Sequence, residues 1–301
     1  MNFIDLRFLG LQRVIGTAVL DGPSGLTLID PGPASCLPAL ESGLADLGRR
    51  LEDVKTLLLT HIHLDHAGAT GTLLHRLPQA VAYVHERGVP HMIDPARLLA
   101  SATRLYGTNM DRFWGECRPV PADRLHVLSG GERIDTAGRT FDVQYTPGHA
   151  SHHVSYFDMT EGTAYVGDTG GIRVASGLIK APTPPPDIDL ELWEASLQRI
   201  EAWRPTALVL THFGRVDDVA DHLRKFRGVL ARQAALVRET LASDGTDEER
   251  IRRFVEDMRA DAHRHRSVDD PASTEAAAAF DQLWQGLARY WRKKAERSPG
   301  L

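Results

Sequence analysis

Thr60-His61-Ile62-His63-Leu64-Asp65-His66 brings three histidines and a carboxylate together directly after the apolar run Val54 to Leu59. Neutral imidazoles and carboxylates are the ligands that borderline divalent metals such as Zn²⁺ prefer. Alternate residues of an extended segment point the same way, so His61 and His63 can share one ion. Asp65 and His66, just beyond, are placed to serve a second. Burying so many ionisable groups without a metal is costly, so the cluster reads as a metal site.

Three further segments place a polar metal-ligand type where a predicted strand ends: Thr146-Pro147-Gly148-His149, Gly167-Asp168-Thr169 and Leu210-Thr211-His212. Loops after strands are where a rigid scaffold positions functional groups. Two divalent ions about 3.5 to 4 Å apart trap a water, lower its pKa towards neutrality and polarise a carbonyl or phosphoryl oxygen. Each histidine ligand also needs an acceptor for its second ring nitrogen. Asp30, in Ile29-Asp30-Pro31-Gly32-Pro33, is the candidate acceptor.

The elements that must hold these residues follow a β-rich opening and then a β-α rhythm. Strands are predicted over 3–9, 14–20 and 26–29, a helix over 37–49, the buried strand 54–59, and a helix over 67–76. After a strand at 80–85, a helical insertion over 86–116 carries Tyr106, Phe113 and Trp114 and is expected to overhang the metal site. Strands return over 124–128, 133–136, 140–145, 154–158 and 164–166. The run Ala181-Pro182-Thr183-Pro184-Pro185-Pro186 cannot be helix or central strand, because proline fixes φ and lacks the N–H, and it reads as a stiff surface loop. A helix over 189–203 and a strand over 207–210 then deliver Thr211-His212. Helices are expected over 219–242, 248–264 and 274–297, with Leu223, Phe226, Leu230, Phe254, Leu283 and Leu287 at helical spacing. The division is thus a metal-binding domain, 1–215, and a helical C-terminal appendage, 216–301.

Composition narrows the function classes. The 301 residues are 42% hydrophobic and 25% charged, enough to bury a full core. A formal net charge of −5 provides no basic field for nucleic acid or membrane. The two cysteines, Cys36 and Cys117, stand far apart with no CxxC, which suits a reducing compartment. With no basic leader or long apolar run at the start, the expectation is a cytoplasmic protein without a transmembrane span.

In motif, order and strand context, about the first 215 residues resemble the metallo-β-lactamase superfamily, in which an HxHxDH motif is followed by single His, Asp and His ligands. The resemblance implies an α/β fold, the αββα sandwich of that type. It also implies two divalent ions, zinc first and iron or manganese as alternatives. Carried over residue by residue, it puts His61, His63 and His149 on one ion, Asp65, His66 and His212 on the other, and Asp168 between them as a bridging carboxylate. Asp30 matches an aspartate the family keeps near the first motif, and His153 a position that often supports the ligands from behind.

The resemblance implies a hydrolase of the glyoxalase II and lactonase side, in which a bridging hydroxide opens a thioester, ester or lactone and Asp65 orients the nucleophile. Asp168 stands where many zinc β-lactamases carry cysteine, and the chain lacks the HxExDH glutamate of flavodiiron proteins. No nucleic-acid domain precedes His212. Two other readings stay open, a mononuclear iron persulfide dioxygenase and a non-catalytic binding protein of the same fold. Arg173 and Tyr106 are candidate substrate contacts, the partner is a small molecule, and monomer and homodimer both stay open. His152 reads as a loop residue. His75, His85, His91, His126, His222, His263 and His265 read as surface or satisfied core histidines.

Overall fold

The computed structural model describes residues 1–136, 138–173, 177–264 and 279–297, with the backbone alone at 261–264. The first sheet contains β1 (Asn2–Asp5), β2 (Gly16–Gly22), β3 (Gly25–Ile29), β4 (Val54–Leu58), β5 (Val81–His85) and β6 (Leu125–Leu128), in that spatial order. Its first three strands are antiparallel and the rest pair in parallel. The second sheet is built from β7 (Arg133–Thr136), β8 (Arg139–Tyr145), β9 (Val154–Asp158) and β10 (Thr163–Tyr165). A two-stranded ribbon, β11 (Ile172–Arg173) and β12 (Ile179–Lys180), intervenes before β13 (Ala207–Leu210) and β14 (Gly214–Val216) complete that sheet.

Successive strand residues point to opposite faces, and the chain uses this to separate three apolar layers. In β2, Val19 faces outward to the first helical layer while Ala18 and Leu20 face the space between the sheets. In β13, Leu208 and Leu210 face outward while Val209 faces the intersheet layer. Helices α1 (Leu37–Asp46), α2 (Leu64–Ala67) and α3 (Thr70–Arg76) join the outer cluster of the first sheet through Leu40, Leu44, Leu64 and Leu73. The insertion between β5 and β6 folds as three short helices, α4 (Val89–Ile93), α5 (Ala96–Tyr106) and α6 (Met110–Trp114). On the far side α7 (Leu190–Ala202) packs Trp193, Leu197 and Ile200 against the second sheet. This is the αββα sandwich.

The C-terminal helices are α8 (Val219–Ala242), α9 (Asp247–Arg264) and α10 (Phe280–Arg297). They share a core with the second sheet: Phe226, Phe254 and Leu287 lie in one cluster with Ala164, Val166 and Leu210. The expected boundary near residue 215 is therefore not a break in the apolar core. Residues 274–278 of the expected last helix and His265 lie outside the described residues, as does the His263 side chain. Among the described residues no helix is long and apolar enough to cross a membrane.

Two expectations are corrected. The predicted strand 3–9 stops at Asp5, because Arg7 and Leu9 take left-handed backbone (φ 48 and 55), and a 3₁₀ turn follows. The proline run is not a surface loop throughout: Ala181, Pro182 and Thr183 are buried. Thr183 donates to the Leu283 carbonyl of α10 and the Pro182 carbonyl accepts from His149, so the segment is a packed strap between the His149 loop and the last helix.

Candidate metal centre

Strand direction explains why distant residues converge. β3 and β4 are parallel, so Asp30 and His61, which follow them, emerge at one sheet edge. β10 and β13 are parallel, and β8 runs the same way as β10 because two antiparallel pairings separate them. His149, Asp168 and His212, which follow β8, β10 and β13, therefore emerge together. Asp65 and His66 occupy the first turns of α2. Glycine is required at two of these corners. Gly148 has φ 137, and a Cβ there would lie 2.3 Å from the Trp193 Cα. Gly167 has φ 47, and a Cβ would press on the Thr60 hydroxyl at 2.5 Å.

His61, His63 and His149 form one group of converging donors and Asp65, His66 and His212 another. In the first, His63 Nδ1 lies 2.9 Å from both His61 Nε2 and His149 Nε2. In the second, His212 Nε2 lies 3.2 Å from His66 Nε2 and 3.3 Å from Asp65 Oδ2. The two oxygens of Asp168 divide between the groups: Oδ1 is 3.2 Å from His66 Nε2 and 3.6 Å from His212 Nε2, and Oδ2 is 3.5 Å from His149 Nε2. Donors about 2.0–2.1 Å from a tetrahedral zinc are separated by roughly 3.3 Å, which matches the second group.

The outer nitrogens are anchored. His66 Nδ1 donates to Asp30 Oδ2 (2.8 Å), His149 Nδ1 to the Pro182 carbonyl (2.8 Å) and His212 Nδ1 to the Val14 carbonyl (2.6 Å). The Thr60 hydroxyl donates to Asp30 Oδ2 at 2.7 Å, so at 3.1 Å from His61 Nδ1 it accepts. Each of these acceptors fixes the tautomer that turns an Nε2 lone pair inward. Asp30 accepts four hydrogen bonds in all, from the Thr60 N–H and hydroxyl, His66 and the Thr211 hydroxyl. Its left-handed backbone (φ 53) turns the chain after β3 at that point. His153 sits behind the ligands, its ring 5.0 Å from His61. It accepts the Asp168 N–H at its Nε2 and meets the Thr146 hydroxyl at its Nδ1.

The electrostatics of the donor groups suit a cation. Asp168 Oδ1 is buried without a hydrogen-bond partner of good geometry, with His66 Nε2 at 3.2 Å and His212 Nε2 at 3.6 Å. Burial lowers His66 and His212, but the Asp168 and Asp65 carboxylates together, with Asp30 also acting on His66, outweigh it, and both histidines end raised. Burial and neighbouring imidazoles instead hold His61 well below the usual histidine range and His63 at about 4. Burial opposes ionisation of Asp65, yet His66 and His212 hold its carboxyl down at about 2. The donor set is thus preformed for divalent ions, with ring nitrogens and carboxylate oxygens aimed at common points.

Above the donors lies a cavity of about 660 Å³ that His63, Asp65, His149 and Asp168 line. Tyr106 lines it and donates to Gln282 Oε1 of α10 at 3.3 Å. Burial, with the Asp65 carboxylate adding to it, raises the Tyr106 phenol, which stays protonated. Arg173 is not among the residues lining the cavity; its backbone N–H donates to the His212 carbonyl at 2.6 Å. His152, expected as a loop residue, lines the cavity with its ring edge-on to His63 at 5.5 Å. His91 lines it as well. The sequence signal for His152 was its place beside His153 in the ligand loop. His85 and His222 are satisfied core histidines, accepting from the Arg87 N–H and donating to the Gly170 carbonyl respectively.

The model of the metallo-beta-lactamase superfamily matches residues 14–212, and the chain belongs to that superfamily. It is 27% identical over 212 residues to a metallo-beta-lactamase fold-containing protein of Sulfurisphaera tokodaii, covering 69% of this chain and 76% of the relative. A hydroxyacylglutathione hydrolase of Aeromonas hydrophila is 30% identical over 182 residues, 60% of this chain and 54% of that enzyme, so the match spans about half the enzyme's length. The solved structure of an archaeal superfamily protein from Sulfolobus tokodaii superposes with a TM-score of 0.67 at 21% identity, covering 97% and 98% of the two chains. That likeness extends the shared fold through the C-terminal helices.

Proposed function

We propose that this chain is a dinuclear metal-dependent hydrolase acting on a carbonyl ester, thioester or lactone. The observation that carries the reading is the division of the Asp168 oxygens between two complete donor groups. A second group formed by Asp65, His66 and His212 favours two ions over the single iron of a persulfide dioxygenase. Zinc fits the nitrogen and oxygen donors and their spacing. When bound, the ions supply a water of lowered pKa and polarise the scissile carbonyl.

The chain's own residues do the rest. Asp65, at the cavity floor, accepts a hydrogen bond from the water and aims it at the acyl carbon. Water adds its oxygen to that carbon, the carbon–sulfur or carbon–oxygen bond breaks, and the acid and a thiol or alcohol leave with the two protons of the water. His152 accepts the Ile62 N–H at Nδ1, 3.4 Å, which leaves its Nε2 as an N–H donor. That donor stabilises negative charge on the departing atom. The match to hydroxyacylglutathione hydrolases supports thioesters within this class.

Protein restored with zinc and screened against thioesters, lactones, carboxylic esters and phosphoesters tests the reading. Turnover of the carbonyl substrates, abolished by chelator and restored by metal, is expected. Oxygen uptake with a persulfide, or turnover of phosphoesters alone, overturns it.

A further inference from the structure

We propose that the substrate is amphipathic: an apolar acyl chain seats on the aromatic wall beside Asp65, and an anionic leaving portion meets Arg87 and Arg97 at the cavity mouth. This rests on the hydrolase reading and narrows it. Phe8, Tyr106, Phe113 and Trp114 all line the cavity and touch one another, Phe8 stacking on Trp114 at 5.4 Å and Tyr106 meeting it edge-on at 4.9 Å. Leu98, Ala102 and Leu105 of α5 and Leu283 of α10 extend the same apolar surface. A small hydroxyacyl group would leave that wall uncovered, whereas an acyl chain removes it from water.

Other lining residues are polar: Arg87, His91, Ser151 and His152 are among them, and the Arg87 guanidinium stands 5.5 Å from the Tyr145 ring centroid. Tyr145 donates to the Ser151 carbonyl, and the Ser151 hydroxyl occupies the Asp187 carboxylate at 2.5 Å. Arg87 and Arg97 are exposed, and among the described residues no carboxylate lies within ion-pair distance of either. Two cations without acidic partners at a mouth, in a chain of net charge −5, select an anion by complementarity. At about 660 Å³ the cavity holds a ligand of drug size.

The test is kcat/KM for straight-chain acyl thioesters from two to ten carbons, made with 3-mercaptopropionate (anionic) and with 2-mercaptoethanol (neutral). Efficiency should rise about fourfold per added methylene until the cavity fills. The anionic series should be favoured roughly tenfold by a charge-assisted contact. The Arg87→Ala, Arg97→Ala double variant should lose that preference while keeping the chain-length slope, and Ala102→Trp should flatten the slope. A flat series, or an anionic preference that survives loss of both arginines, overturns the proposal. Calorimetry with butyrate and decanoate reads the wall without turnover. If no thioester is hydrolysed while esters or lactones are, only the thioester choice fails, and if no carbonyl substrate is hydrolysed the hydrolase reading fails. In either case at least tenfold tighter decanoate binding upholds the apolar wall, and equal affinities overturn it.

Discussion

Asp30 holds more of this site together than any ligand does, because its one carboxylate ties Thr60, His66 and Thr211 at the ends of two sheets. Asp30→Ala is expected to weaken metal affinity about 10- to 100-fold, as loss of a histidine's outer partner does elsewhere, measured by chelator competition. An unchanged affinity would mean that His66 is oriented by packing alone. His152→Ala should slow an alkyl ester about 100-fold or more while slowing the matching thioester much less, because an alkoxide needs a donor and a thiolate does not; the ratio of the two kcat values reads this. Equal losses would leave His152 with only a packing role. The residues of the two converging donor groups were legible in the sequence because they are scarce polar types placed at or just after the end of an apolar run. His152 was not, because nothing in a loop histidine's neighbours says which wall it faces. Nor was the displacement of Arg173, since five residues after Asp168 the chain turns into the β11 ribbon and away from the cavity.

At the scale of elements, the strands after which ligands follow all point their ends to one edge, and tight corners set the exact reach. Gly148→Ala should destabilise the fold by roughly 2 kcal/mol or more, since the new Cβ would overlap the Trp193 backbone at a left-handed φ. Chemical denaturation checks it, and a change under about 0.5 kcal/mol would show that α7 moves freely. The β-α rhythm was readable because apolar runs and turn residues act locally. The proline strap was misread for the converse reason: its chemistry excludes helix and strand but does not tell buried from exposed. Its burial follows from tertiary demand, because His149 needs the Pro182 carbonyl and α10 supplies a carbonyl to Thr183. The left-handed turns at Arg7 and Leu9 broke a strand that apolar alternation alone would have continued.

For the whole molecule, one apolar cluster runs from the second sheet through α7 into α8, α9 and α10. Unfolding should accordingly be a single transition in which far-ultraviolet circular dichroism and tryptophan fluorescence coincide. Leu287→Ala, at a fully buried position, should cost about 2–5 kcal/mol of the whole. Two separated transitions would make the C-terminal helices an independent unit. The sandwich was legible through the family resemblance that motif, order and strand context carry, but the sharing of α10 between core and cavity was not, since helical spacing shows only that a face packs. The measurement that bears most directly on the central claim is the metal content of protein purified without chelators, by elemental analysis against protein concentration. Two divalent ions per chain in the native protein, falling to at most one in Asp168→Ala, is the predicted result. A single ion per native chain, or none taken up on reconstitution, would contradict the dinuclear site.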